Sequence, residues 1–476
     1  MSCMTDETAY FKSEEFLEIL QQYEDSVKSG HPIYMDADDL ASIADYYHYN
    51  GRIEEADNVI DLALQYSPEA VAPLLYKARE ALSVKDFDLA RTYAERIHPS
   101  DEVEYLYLKG EILICEGNTE EADDLFRQHY KEVPPDELMD YVYDVANLFS
   151  EYDLHDKAFQ WIARSRGDDS DDFKELMAHT LFELGKYKDS ERIINELIDH
   201  DPFSKRYWNS LANAQFMNED YGASITSSEY AIAIDPNDPE SILSKANGLL
   251  RLENYEEALT YFERYSDLID DDEFGHLHQA TCLISLGRMD EAIRCLRKAA
   301  EIASPDSRYL SEIYQEMAFV YSELKMPETA IYYINKTKYL DCNHNDMEVI
   351  RGHILLANNR LDEAGEAFEH ALSNSGNAPK TMLRIIVSLY DNQHLNDTYR
   401  LFKKYFDYVG DDWNEGYAYM ALCCKDMHKA EEFLHYLELA TEKNPKEAKF
   451  VLGHLFPKDL PVNEYLDYIR NKLNKE

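Results

Sequence analysis

The chain of 476 residues carries 94 acidic against 47 basic side chains, a formal net charge of -47; such a surface repels nucleic acid and anionic membranes and favours basic partners. Hydrophobic residues make up 45% of it, enough for a packed protein, and no run of about 18 apolar residues exists that could cross a membrane as a helix. Seven cysteines form no CxxC pair and read as reduced thiols, and the acidic N-terminus lacks the basic and apolar regions of a secretory signal, so a cytoplasmic location is expected.

In chain order, residues 1–36 contain one amphipathic segment at 8–29, whose Phe11, Phe16, Ile19, Leu20 and Tyr23 form an apolar stripe. This pattern predicts an N-terminal capping helix that covers the apolar face a repeat array would otherwise expose. Residues 37–445 then repeat one pattern, clearest at 205–238, where two segments of helical periodicity flank a turn at 218–220 and predict a helix hairpin. One small residue recurs in each first helix: Ala44, Ala78, Gly110, Ala146, Ala178, Ala212, Ala246, Ala280, Ala318, Gly352, Ile386 and Ala418. Eleven of these twelve are Ala or Gly, where background usage would give roughly one or two. A second column opens each second helix: Ala56, Ala90, Ala122, Ala158, Ser190, Ser224, Ala258, Ala292, Ala330, Ala364, Thr398 and Ala430.

Both columns move in register at intervals of 32 to 38 residues, most often 34, and the interval of 38 separates Ala280 from Ala318. Gly51, Gly117, Gly185 and Gly287 recur at one turn position inside the hairpins, where a residue able to take positive φ ends a helix cleanly. The second hairpin is expected to be cut short at HPSDE, and soft junctions are expected near 164–172 and 373–380. Residues 446–476 predict C-terminal capping helices, one at 446–455 and one at 463–473.

Trp208, Leu211, Ala212, Tyr221, Ser224, Ala231 and Pro236 match successive marks of the tetratricopeptide (TPR) repeat, and the period of 34 with two helices per unit agrees. The chain therefore resembles a TPR protein over about residues 37–445. The resemblance implies an all-α fold, an α-α superhelix or solenoid of about twelve helix hairpins with helical caps at both ends. It also implies protein recognition without catalysis, by a scaffold or adaptor that binds a peptide or partner helix in a concave groove lined by first helices.

No phosphate-binding loop, dinucleotide motif, nucleophile elbow or kinase signature occurs in the sequence. Glu432 with His435, and Glu175 with His179, supply too few ligands for a helical metal site. Cys342 and His344 read as turn and cap residues, and His276 and His278 as satisfied surface or groove histidines. No catalytic residue, metal or cofactor is expected.

If the first helices line a groove, its inward positions lie about three before, one after, and four or five after the small residue of each. They supply Tyr107, Glu111, Tyr143, Asn147, Asn209, Asn213, Phe216, Asn247 and Arg251 as candidate binding residues. Asn recurs one position after the small residue at Asn147, Asn213 and Asn247, and an amide that both donates and accepts can hold a peptide backbone. The two-carboxylate clamp of chaperone-tail receptors is absent, since Asn209, Ser244, Phe274 and His278 stand where its other members are wanted. Aromatic residues among acids suit a lysine- or arginine-rich ligand in the first six hairpins. The alternative function is a regulatory sensor whose groove responds to a small ligand or signalling peptide; the partner's identity and the oligomeric state are not legible.

Overall fold

A computed structural model describes residues 10–30, 34–97, 102–165, 169–410, 412–457 and 460–473. Every regular element among them is helical, and the chain divides into two compact units, Met1–Asp220 and Tyr221–Glu476.

The first unit opens with α1 (Glu14–Ser29), capped by the Ser13 side chain, which accepts the Phe16 N–H. Phe11, Phe16, Leu20 and Tyr23 are buried against the first hairpin together with Leu40, Ile43 and Tyr47, as the apolar stripe predicts. Hairpins follow as α2 (Ala37–Tyr49) with α3 (Ile53–Tyr66), α4 (Val71–Ser83) with α5 (Phe87–Ala94), and α6 (Glu102–Cys115) with α7 (Thr119–His129). Next come α8 (Leu138–Glu151) with α9 (His155–Ile162) and α10 (Asp171–Glu183) with α11 (Tyr187–His200), and the unit closes on α12 (Lys205–Met217). The short α5 agrees with the expected early stop, part of which, residues 98–101, lies outside the described residues. The junction expected at 164–172 likewise falls partly outside them, at 166–168.

The second unit starts with α13 (Tyr221–Ile234) and continues as α14 (Pro239–Arg251) with α15 (Tyr255–Leu268), and α16 (Glu273–Ser285) with α17 (Met289–Ile302). It proceeds through α18 (Leu310–Glu323) with α19 (Pro327–Lys336), α20 (His344–Ala357) with α21 (Leu361–Asn374), and α22 (Pro379–Asp391) with α23 (Leu395–Val409). The last hairpin pairs α24 (Tyr417–Asp426) with α25 (Ala430–Lys443); α26 (Pro445–Leu452) and α27 (Tyr465–Leu473) cap it. Each capping helix is shorter than its sequence pattern suggests, because the 3₁₀ turns Gly453–Leu455 and Val462–Glu464 take up the adjoining residues.

The turn inside each hairpin has one design. A residue of positive φ follows the first helix at Gly51, Lys85, Gly117, Asp153, Gly185, Glu219, Glu253, Gly287, Lys325, Asn359, Gln393 and His428. The next N–H reaches back five residues to a helix carbonyl, as from Arg52 to Tyr47 and from Arg288 to Leu283 at 2.8 Å each. This closes the helix end as a Schellman motif. The four glycines meet the expectation from sequence; eight other residues accept the same conformation at a cost of about 1 kcal/mol each.

The turns also correct the register of the last hairpin. In the first eleven, the positive-φ residue lies seven after the first-column residue, so His428 assigns that column to Ala421 rather than Ala418, and the second column to Phe433 rather than Ala430. Ala421 is fully buried, Phe433 is 7% exposed, and Ala430 is an exposed residue opening its helix. The shift arises because residues 412–416, with Gly416 and the preceding Gly410 at positive φ, occupy the place of the first turns of α24.

The small columns are buried throughout the other hairpins, including Ile386 and Thr398. Their smallness has a specific partner at two places: a Cβ on Gly110 would lie 2.0 Å from the Phe126 ring, and one on Gly352 2.3 Å from the Phe368 ring. In the second unit the hairpins share a core that includes Leu249, Phe262, Leu277, Leu296, Ile313 and Met317.

Three outcomes follow. Glu253→Gly raises the melting temperature by relieving about 1 kcal/mol of left-handed strain, and Gly287→Ala lowers it by a similar amount. Gly352→Ala, which elsewhere in a helix would add about 1 kcal/mol of stability, instead destabilises by roughly 1–3 kcal/mol through overpacking; Phe368→Leu in the same chain restores part of the loss in thermal melts. Glu447 accepts the Gly416 N–H with both carboxylate oxygens at 2.8 and 3.1 Å, and burial, with the Glu415 charge adding to it, pushes it up to about 7. A carboxyl raised in the folded state stabilises fully below its unfolded value and loses that contribution as pH rises through about 7. Melting curves of wild type and Glu447→Gln therefore separate between pH 5 and pH 7.5, with the glutamine variant the more stable at the higher pH.

Candidate functional site

Within each unit, several first helices pack directly on the next first helix, as α2 does on α4 and α20 on α22, and no pair of successive second helices packs to that extent. The first helices thus form the more closely spaced layer of a locally curved stack. Their surface is the candidate interaction face.

In the first unit, the residue after each small column forms a row across six helices: Asp45, Arg79, Glu111, Asn147, His179 and Asn213. Arg79 Nε donates to Glu111 at 3.2 Å, and the Tyr152 hydroxyl donates to the other oxygen of Glu111 at 2.7 Å. Asn147 Nδ2 donates to Glu151 at 2.9 Å. Burial raises Glu151 above the usual carboxylate range; the Asn147 bond and the Arg79 charge oppose this, and the Glu111 charge adds to it. His179 lies 3.4 Å from the Ser150 hydroxyl and in edge contact with His155, and burial holds it below its ordinary value. Tyr152 and Arg79 escaped the sequence reading; Arg79 stands in the same column as Glu111, and that column was the signal available to find it.

The row three before the small residue serves another purpose. Tyr107 stacks on Tyr141 at 5.9 Å and donates its hydroxyl to Asp144 at 2.9 Å. Tyr143 meets Phe173 edge-on at 5.4 Å, and Glu175 accepts from the Tyr207 hydroxyl at 2.5 Å and pairs with Arg206. These residues reach the start of the next first helix, so they join hairpins. Asn209, in the same row, is 3% exposed and does not display its amide. Asn213 and Phe216 are half-buried on α12. In the second unit Asn247 is half-buried and Arg251 exposed on α14.

Burial, reinforced by the charge of Arg251, holds His278 near 4. His278 packs on the tilted Phe274 ring at 4.0 Å and keeps a buried Nδ1 without a partner, as His276 does its Nε2; the expectation of satisfied surface or groove histidines therefore fails on satisfaction. Glu432 is taken up by Tyr399, Lys403 and Lys429. Among the described residues no group of three or more His, Cys, Asp or Glu is placed to hold a metal ion, and no helix is long and apolar enough to cross a membrane.

Comparison with known proteins agrees with this repeat geometry. Family profiles described as tetratricopeptide repeats match residues 176–239 and 349–377, and one described as anaphase-promoting complex, cyclosome, subunit 3 matches residues 217–299. A curated relative, the protein STIP1 homolog of Dictyostelium discoideum, is 27% identical over 119 residues, which is 25% of this chain and 21% of that protein. Among solved structures, MamA of Desulfovibrio magneticus RS-1 overlays with 16% identity and a TM-score of 0.34 over 36% of this chain and 94% of that one. A chain of the APC/C hetero-tetramer Cut9-Hcn1 overlays with 14% identity and a TM-score of 0.36 over 86% of this chain and 96% of that one. The chain carries tetratricopeptide repeats, and the helix hairpins of both units continue their geometry.

Proposed function

We propose that the first-helix face of the first unit holds a lysine- or arginine-rich peptide, and that the chain acts as a non-catalytic scaffold or adaptor. The observation that supports this most is the sharing of one guanidinium, that of Arg79, by two carboxylates: Glu111 is bonded to it, and Glu151, held up by burial, also feels its charge. A ligand cation beside Glu151 supplies the missing countercharge. Tyr152, with its hydroxyl already donated to Glu111, offers ring surface for its aliphatic stem or for cation-π contact. The net charge of -47 adds long-range attraction for such a ligand.

Titration calorimetry with capped cationic and anionic peptides of equal length tests the reading. Cationic peptides bind, more weakly as salt rises, and Glu111→Gln with Glu151→Gln lowers their affinity about tenfold, the loss expected for charge-assisted contacts. A preference for the anionic peptides rejects it.

A further inference from the structure

The ninth hairpin departs from the period twice. The connection before it is the longest between successive first-column residues, giving the interval of 38 from Ala280 to Ala318. Its second helix, α19, ends at Lys336, and the 3₁₀ turn Thr337–Tyr339 follows. The buried Thr337 hydroxyl donates to the Ile334 carbonyl at 2.7 Å and stabilises that early turn. Where a longer second helix would continue, two pockets open side by side, and Asn335 lines both.

The first pocket, of about 500 Å³, is walled by Leu310, Tyr314, Tyr332, Tyr339 and the stem of Lys336. Tyr332 and Tyr339 are 56% and 92% exposed, an unusual display of aromatic surface around an apolar hollow. Lys336 Nζ stands 4.9 Å from the centre of the Tyr314 ring and 5.2 Å from that of Tyr332. The second pocket, of about 280 Å³, sets the charged and polar side chains Lys338, His344, Glu348 and Arg351 beside Ile334 and Met347. Glu348 is engaged by Arg351 Nη1 at 2.8 Å. Among the described residues neither Lys336 nor Lys338 has a carboxylate within ion-pair distance. Residues 288–340 hold eight basic and eight acidic residues, in a chain whose acids outnumber its bases two to one.

Two buried polar atoms here lack partners: Asn335 Oδ1, an acceptor, and Arg351 Nε, a donor. Buried groups of this kind are normally satisfied, and the two call for a ligand that both donates and accepts. We propose that these adjoining pockets form a second peptide site, independent of the acidic face of the first unit, for a segment carrying an apolar side chain next to a carboxylate. The apolar residue fills the tyrosine-walled pocket, a ligand backbone N–H donates to Asn335 Oδ1, and the carboxylate takes its hydrogen bonds from Arg351 Nε and Lys338 Nζ. The excess of cation over the already paired Glu348 sets the sign of the preference.

Fluorescence anisotropy with labelled, terminally capped nonapeptides tests this, with one Phe and one Glu separated by zero, one or two serines. At least one spacing binds saturably, and replacing its Glu by Gln or its Phe by Ser weakens binding about tenfold or more, the range for a charge-assisted contact or a buried aromatic anchor. Lys338→Glu removes the preference for Glu over Gln, and Tyr332→Ala removes the preference for Phe. Both are exposed positions, and unchanged melting temperatures confirm that the fold is kept. Glu111→Gln with Glu151→Gln leaves this binding intact, which separates its fate from that of the basic-peptide reading. A companion peptide ending in Phe with a free terminal carboxylate distinguishes a chain terminus from a side chain as the carboxylate source, and tighter binding by it supports the same pockets. If no spacing distinguishes Glu from Gln and the free terminus gives no gain, or if both variants bind as wild type does, the proposal is wrong.

Discussion

Each hairpin depends on bringing two helices close together through a turn that must be sharp. The left-handed residue after the first helix reverses the chain, and the small residue seven positions earlier leaves room for the helix that returns. Gly110 against Phe126 and Gly352 against Phe368 show how little room there is, since even one methyl group would collide with a ring. The geometry is enforced strongly enough that Lys85, Glu253 and His428 adopt a conformation glycine takes at no steric cost. The direction of every second helix, and with it the stacking of the next hairpin, follows from that closure.

Once the hairpins stack, the first-helix surface divides into rows with different duties. The row that includes Tyr107, Tyr143 and Glu175 faces the next hairpin and makes aromatic and charged contacts with it. The row that includes Arg79 and Asn147 reaches the open face and carries polar links there, with Glu111 buried beneath its partners. Acidic residues on that face are neither all free nor all neutralised: Glu111 is satisfied twice over, while Glu151 is stabilised by one amide and a shared guanidinium. A face of this kind keeps electrostatic preference for cations while part of its charge stabilises the stack.

The second unit gives a contrasting surface where the repeat is least regular. A lengthened connection and a shortened second helix, each tolerable by itself because repeats contact mainly their neighbours, expose tyrosines, lysines and two unpartnered buried polar atoms at one place. Regular repeats here serve packing, and the broken one leaves chemistry unspent.

The fold was legible in the residues to a high degree. Small residues at a period near 34, glycines at the turn and an apolar stripe in 8–29 each report on contacts within one hairpin or between neighbours, and local contacts leave local patterns. The register of the last hairpin was not legible, because Ala418 and Ala421 are both small and both buried, and only the turn at His428 separates them. Of the candidate site, the column holding Glu111 and Asn147 could be read, whereas the burial of Asn209 and the use of Tyr107 and Tyr143 between hairpins could not. Helical spacing tells which residues share a face; which part of that face the next hairpin covers depends on how the hairpins stack. The sequence by itself therefore determined the all-α repeat architecture, its helix pairs and its acidic character. Tertiary structure alone decided which polar residues find partners inside the chain and which, like Asn335 and Arg351, keep buried atoms unsatisfied, because hydrogen bonding is settled by the neighbour across a helix interface and not by the neighbour in sequence.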